Sequence, residues 1–401
     1  MAKIVKVPQL PWHGPRDLDL LLPDSWQVEI CNIAGYNRPA MDDDQIKASI
    51  TRLIGMPPLR EFARGKKEVV IIFDDITRVT RVAKIVPFVL EELAEANIPD
   101  SRIRFIAALG NHGAMNREDF AKKLGESTLA RFPVYNHNPH GNCTYVGSTS
   151  YGTKLFVNAE VMHCDLKITI GSVVPHAGTV FSGGGKMILP GVASIESIES
   201  NHALPQGEHN TKSMRLDVEE AAKLAALDVV IECIVNQWGD TVAIFAGTET
   251  LAHEAAVKEA RTHYICPKAE GKNIVIANAY AKVSESAIGF RKTVMSLHQQ
   301  KGGSFVLITN APNGQVAHYF APNWGRTKRG KGKMPPPIPL NVNHLIVYNE
   351  YPDIAGLGFI GTPEKILQMS NWDDLIWTLK GFHDDNATVA VYPNSEILLF
   401  G

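Results

Sequence analysis

The chain has 401 residues, 45% hydrophobic and 20% charged, with a formal net charge of -2. That length suits two or three domains of ordinary globular composition. Near-neutrality excludes a strongly basic surface for nucleic acid or anionic membrane. The five cysteines (Cys31, Cys143, Cys164, Cys233, Cys266) are scattered and contain no Cys-x-x-Cys, so they read as reduced thiols of a cytoplasmic protein. No signal-peptide core or transmembrane-length apolar run is visible.

Residues 1–40 contain Pro8, Pro11, Pro15, Pro23 and Pro39, which forbid long helices and leave short strands. Residues 42–54 read as a helix capped by their own aspartates. Residues 68–75 form a continuous apolar run ending in Asp74-Asp75, as a buried parallel strand does. The turn through Arg78 leads to a helical face over 81–97, carried by Val82, Ile85, Val86, Val89, Leu90 and Leu93. Residues 102–109 are a second buried strand, ending in Gly110-Asn111-His112, and 117–124 a short helix. Strand, polar loop and helix alternate, which predicts an α/β sheet with ligands at the carboxyl ends of its strands. Asp74, Asp75, Arg78 and His112 fall at such ends.

Residues 131–164 are rich in turns. A strand from Asp165 then enters a glycine-rich stretch, Gly171 to Gly191, which holds His176, Gly183-Gly184-Gly185 and Lys186. Consecutive glycines lose much backbone entropy on folding, so they belong where main chain approaches something closely. A phosphate-cradling loop is excluded: its first glycine would fall at Val180 and its magnesium-binding hydroxyl at Met187. No Gly-x-Gly-x-x-Gly follows a strand. Helical spacing resumes over 194–202. A helix over 214–227 leads to strands 229–236 and 240–247, joined by a hairpin at Gly239-Asp240, and then to a helix over 250–264. After a linker at 266–271 come strand 273–279, helix 284–300 and strand 304–310. A basic, proline-rich loop over 311–341 includes Arg326 to Lys333. Strand 344–349, helices within 362–382 and strand 388–393 complete the chain. The expected fold is α/β: two α/β domains with mixed or parallel sheets and an active site in the cleft between them. The N-terminal domain is expected over 1–267, with 387–401 returning to it. The C-terminal domain is expected over 268–386 and contributes substrate contacts.

Four blocks together resemble the nickel-pincer lactate racemases. They are Asp74-Asp75-Ile76-Thr77-Arg78, Gly110-Asn111-His112, Pro175-His176 with Phe181 to Lys186 and Pro190-Gly191, and Asn201-His202. Their order and spacing agree with that family over most of the chain, best over 68–205. The resemblance implies a nickel-pincer nucleotide, a nickel-bearing pyridinium mononucleotide with thiocarboxylate, joined to Lys186 as a thioamide. It implies His202 as nickel ligand and His112 and His176 as acid and base on either side of a 2-hydroxy acid. Gly183, Gly184, Gly185 and Asp75 would serve the cofactor, and Arg78 and Lys292 the substrate. Separate maturation proteins would build the cofactor.

The chemistry is coherent. An electron-poor pyridinium accepts hydride from an alcohol carbon while an imidazole takes the hydroxyl proton. Where that family has a glutamine three residues before its substrate lysine, this chain has Gly289 before Lys292. The lost side chain suggests a larger pocket and a substrate other than lactate, such as a sugar acid. Three plainer readings stay open: Lys186 as a phosphate-binding lysine, Arg78 with Asp75 as a structural ion pair, and His202 capping or packing a helix. A competing function is a metal-dependent hydrolase using the three histidines with Asp74 or Asp75.

Overall fold

The computed structural model describes residues 3–205, 213–319 and 337–401. The basic run from Arg326 to Lys333 lies outside the described residues. The chain divides into two compact units. One is Asn37–Thr262; the other joins Met1–Tyr36 to His263–Gly401.

The larger unit is built on a six-stranded sheet. Across it run Thr241–Gly247, Val229–Val235, Leu166–Ser172, Val69–Asp74, Ile103–Ala108 and Val134–Asn136. All neighbours are parallel except the hairpin pair at the first edge. Every residue of Val69–Asp74 and of Leu166–Ser172 is buried. That is why both read as unbroken apolar runs and not as alternating ones. Ile71, Phe73, Phe105, Ile168 and Ile231 form the centre of the core, packed against Val82, Val86, Val89 and Leu93 from the following helix.

The strand order places the site. From Val69–Asp74 the chain moves outward one way to Ile103–Ala108 and Val134–Asn136. It then returns to Leu166–Ser172 on the other side and continues outward to Val229–Val235. The crossovers diverge between Val69–Asp74 and Leu166–Ser172, and such a switch point opens a crevice at the carboxyl ends of its two strands. Asp74-Asp75 and the glycine-rich stretch leave the sheet at that place.

The smaller unit has its own six-stranded, all-parallel sheet. Its order is Ile366–Met369, Val342–Tyr348, Gly303–Ile308, Ile274–Asn278, Thr388–Tyr392 and Gln27–Ile30. This corrects the expected domain limits. Thr388–Tyr392 pairs with Ile274–Asn278 instead of returning to the first sheet, and Gln27–Ile30 pairs beyond it. The hairpin Lys3–Gln9 with Arg16–Leu22 buries Val5, Val7, Leu20 and Leu22 in the same core. Local sequence could not assign Thr388–Tyr392 and Gln27–Ile30 to this sheet, because their partners lie more than 100 residues away. Two further expectations shift. The helix expected over 284–300 is confined to Ala287–Thr293 with 3-10 turns on either side. Ile366–Met369, expected within helices, is an edge strand. All five cysteines carry free thiols. Among the described residues no helix is long and apolar enough to cross a membrane.

Candidate active site

The end of Val69–Asp74 delivers two adjacent carboxylates in opposite directions, as a strand must. Asp74 turns to Lys123, whose Nζ lies 2.6 Å from Oδ1 and also donates to the carbonyls of Arg78 and Thr80 at 3.1 Å each. The Thr80 hydroxyl donates to the other oxygen. Lys123 is fully buried on the helix Arg117–Leu124, which is held by a capping box between Asn116 and Asp119. Burial pushes Asp74 up and Lys123 down, although each partly offsets the other. The pair fastens the loop from residue 75 to residue 80.

Asp75 turns to His112. Its Oδ2 lies 2.6 Å from His112 Nδ1, while Oδ1 accepts the Thr77 amide at 2.9 Å and the Thr77 hydroxyl. That hydroxyl in turn accepts Arg78 Nη1 at 2.6 Å. A chain of bonds thus runs Arg78, Thr77, Asp75, His112. Burial alone would raise Asp75. The charge and hydrogen bond of His112, with Arg78 and Thr77 behind them, outweigh it and hold the carboxyl below its usual range. Both Asp75 oxygens are engaged by protein, and the bond from Oδ2 orients His112.

His112 sits on a loop fastened by Gly110, whose N–H donates to the Gly191 carbonyl at 2.9 Å. Gly110 has φ +56, and a Cβ there would stand 3.3 Å from Pro190. Two blocks 80 residues apart are thereby joined. A third junction lies at Gly171: a Cβ there would be 3.2 Å from Met187 Sδ and 3.6 Å from Asp74 Oδ2.

His176 lies on a two-residue ribbon, Pro175–His176 against Val180–Phe181. Its Nδ1 accepts the backbone N–H groups of Gly178 at 3.1 Å and Thr179 at 3.2 Å. Those donors require a lone pair on Nδ1, so the neutral ring carries its proton on Nε2. His112 is the reverse: a carboxylate at Nδ1 holds a proton there, so the neutral form of the ring has its lone pair on Nε2. The two histidines are held in opposite tautomers.

Lys186 stands, half-buried, on the 3-10 turn Gly184–Met187. The three glycines before it face protein. A Cβ on Gly183 would stand 2.3 Å from Glu232 Oε1, on Gly184 2.9 Å from Arg215 Nη2, and on Gly185 2.7 Å from the Val218 carbonyl. Gly184 N–H donates to Glu232, and Gly185 N–H donates to Glu249 Oε1 at 3.1 Å. The glycines expected to line the cofactor therefore have two of their amides held by the chain's own carboxylates. Sequence reading missed Glu232, Glu249, Arg215 and His253. The fourth residue of a strand and the faces of two helices carry no local sign of a partner turn.

His202 ends the helix Ile195–His202, capped by Ser194. Its Nδ1 lies 3.0 Å from the Ile198 carbonyl, which only accepts, so the proton is on Nδ1 and the lone pair on Nε2. Burial, then the Lys186 ammonium and lastly His112 push its pKa down to about 4. His202 is thus neutral at pH 7, and Lys186 and His112 lie within electrostatic reach. A neutral imidazole with one nitrogen anchored to a carbonyl is the form in which histidine binds a metal. The donor set fits an imidazole-bound nickel beside a lysine-borne group.

Lys292 belongs to the smaller unit. Its Nζ donates to the carbonyls of Glu396 at 2.7 Å and Leu398 at 3.1 Å. Burial and Lys282 push it down to about 7. The room expected at Gly289 is absent: a Cβ there would stand 2.1 Å from Ser395 Oγ. Ser395 and Glu396 fill the place of the missing side chain.

Residues 13–214 match the model of the lactate racemase N-terminal domain. The lactate racemase of Lactiplantibacillus plantarum is 26% identical over 306 residues, which is 73% of this chain and 72% of that protein. The lactate racemase of Thermoanaerobacterium thermosaccharolyticum is 29% identical over 253 residues, 60% of this chain and 59% of that one. Among solved structures, the apoprotein of the Thermoanaerobacterium thermosaccharolyticum lactate racemase superposes with a TM-score of 0.75 at 20% identity over 100% of both chains. A Thermotoga maritima protein superposes with a TM-score of 0.66 at 16% identity, over 90% of this chain and 99% of that one. These two likenesses concern the fold.

Proposed function

Since the chain belongs to the lactate racemase family and is an isomerase of hydroxy acids, we propose that it inverts a 2-hydroxy acid at Cα with a nickel-pincer nucleotide carried on Lys186. His202 Nε2 is the protein ligand to nickel. When bound, the group supplies an acceptor and donor for the hydride of Cα. The remaining work is proton transfer and orientation by side chains.

His112 Nε2, with its lone pair, takes the hydroxyl proton, and Asp75 stabilises the imidazolium that results. The His112 imidazolium returns that proton when the alcohol re-forms, and His176, with its proton on Nε2, donates a hydrogen bond to the same oxygen. Arg78, held through Thr77, offers a planar fork for the substrate carboxylate. Ser395 fills the space at Gly289, so nothing at that position favours a larger substrate over lactate. The substrate class is therefore 2-hydroxy acids, with lactate included. Cofactor delivery by separate maturation proteins is part of the same reading.

The observation that carries it is His202, anchored through Nδ1, kept neutral by burial and within reach of the Lys186 charge. A hydrolase using Asp74 or Asp75 as metal ligands has less support, since Lys123 and Thr80 occupy the first and Thr77 and His112 the second. The test is co-production with the maturation proteins, then intact mass and a screen of chiral 2-hydroxy acids from lactate to sugar acids. The expected result is a nucleotide adduct on Lys186, with racemisation in heavy water that leaves Cα unlabelled. His202→Gln should keep the adduct and lose nickel at least about tenfold. A bare Lys186 in an active preparation ends the proposal.

A further inference from the structure

The glycine turn rests on a buried network outside the proposed chemistry. Glu232 is 2% exposed, though it lies in mid-strand where an apolar residue is expected. It accepts the Gly184 amide, and one of its oxygens lies 2.8 Å from His253 Nδ1. Glu249 accepts the Gly185 amide and lies 3.6 Å from Arg215 Nη2. Arg215 Nη1 donates to the Gly183 carbonyl at 3.2 Å, and its Nε lies 2.8 Å from Glu219. Three successive residues before Lys186 are thus gripped by groups on a strand and two helices. Buried carboxylates are costly unless paired and hydrogen-bonded, and these are both. Apolar packing would hold a turn more cheaply. What carboxylates add is direction: two amides pinned on adjacent residues define the plane of the turn.

We propose that Glu232 and Glu249 are positioning residues that fix the direction in which the Lys186 side chain leaves the main chain, with His253 and Arg215 keeping the two carboxylates in register. This rests on the reading of Lys186 as the attachment point. It extends that reading by naming the groups that make the amine a defined target. Glu232→Gln keeps the shape and removes the charge; His253→Gln is a milder second variant that leaves Glu232 in place.

Two measurements test it. In the unloaded protein, the Gly184 amide should exchange with heavy water roughly tenfold faster in Glu232→Gln, the effect of losing one charge-assisted hydrogen bond. Acetylation of Lys186 by acetic anhydride should persist, showing that the amine is still reachable. In protein matured with the cofactor-building proteins, the adduct on Lys186 per folded molecule should fall about tenfold. A purely structural pair would lower the melting temperature and leave the adduct fraction of the folded protein at the wild-type value. That outcome, or an unchanged Gly184 exchange rate, overturns the proposal. A wild-type protein that never acquires an adduct counts against the proposed function instead, and the exchange measurement then decides the anchoring by itself.

Discussion

Asp75 Oδ2 and His112 Nδ1 lie 2.6 Å apart, and Asp75 Oδ1 is held by Thr77. The Thr77 bonds orient the carboxylate toward the ring, which favours the proton on Nδ1. Two residues that arrive from different strand ends are thereby coupled, and under the proposed function they act as one base. Asp75→Asn keeps the shape but offers an amide that favours the wrong tautomer. Turnover of the loaded enzyme should fall between about 10²- and 10⁴-fold, the usual contribution of general acid–base groups, with little change in the adduct on Lys186. Rate assays with intact mass on the same preparation check it. An Asp75→Asn enzyme within threefold of wild type would show that His112 needs no partner.

The strands that carry this pair were legible because burial on both faces leaves a continuous apolar run, and Asp74-Asp75 marks its end. The glycine stretch, His176, Lys186 and His202 were legible as spaced chemistry. What local sequence hides is the far partner. Lys123 reads as one more charge on an exposed helix, yet it is fully buried against Asp74. Glu232 sits inside an apolar strand with nothing nearby to announce Gly184. Thr388–Tyr392 could complete either sheet, and only pairing with Ile274–Asn278 decides it. Gly289 misled for the same reason: a missing side chain reads as space until Ser395, over 100 residues on, is seen to occupy it.

Lys123 supplies a stability test. It is fully buried and bound to Asp74, and it also satisfies two carbonyls of the 75–80 loop. Lys123→Met leaves a buried carboxylate uncompensated and should cost about 3–5 kcal/mol. Adding Asp74→Asn removes that charge and should recover part of the loss. Denaturant titration of the two variants checks it. A single variant as stable as the double one would mean that Asp74 takes up a proton once Lys123 is gone.

His137 gives a pH dependence with a definite sign. It is buried, its Nε2 lies 2.8 Å from the Ala193 carbonyl, and burial pushes its pKa from 6.5 down to about 4. Between those values the unfolded chain binds the proton and the folded chain does not. Stability should therefore be unaffected by this group above pH 6.5 and fall as pH drops toward 4, by at most about 1.4 kcal/mol per pH unit. His202 has the same sign and range. His137→Gln should be less stable at pH 7 through a lost hydrogen bond, yet its melting temperature should decline less steeply between pH 6.5 and 4.5. Parallel melting curves for the two proteins across that range would remove His137 from the acid response.

Gly289 is the place where space and specificity can be separated. A methyl group at this position would meet Ser395 Oγ at 2.1 Å and Ser395 Cβ at 3.1 Å. Ser395 Oγ is itself held at 3.0 Å by the Asn278 carbonyl, so it cannot simply swing aside. Gly289→Ala should therefore destabilise the protein by about 1–3 kcal/mol, the usual cost of overpacking a filled core. Ser395→Gly in the same chain should relieve most of it. If the position instead opened on a substrate pocket, Gly289→Ala would leave the melting temperature unchanged and raise KM for bulky hydroxy acids relative to lactate. Melting curves and a two-substrate KM comparison on the loaded enzyme distinguish these outcomes, and the contact with Ser395 predicts the first.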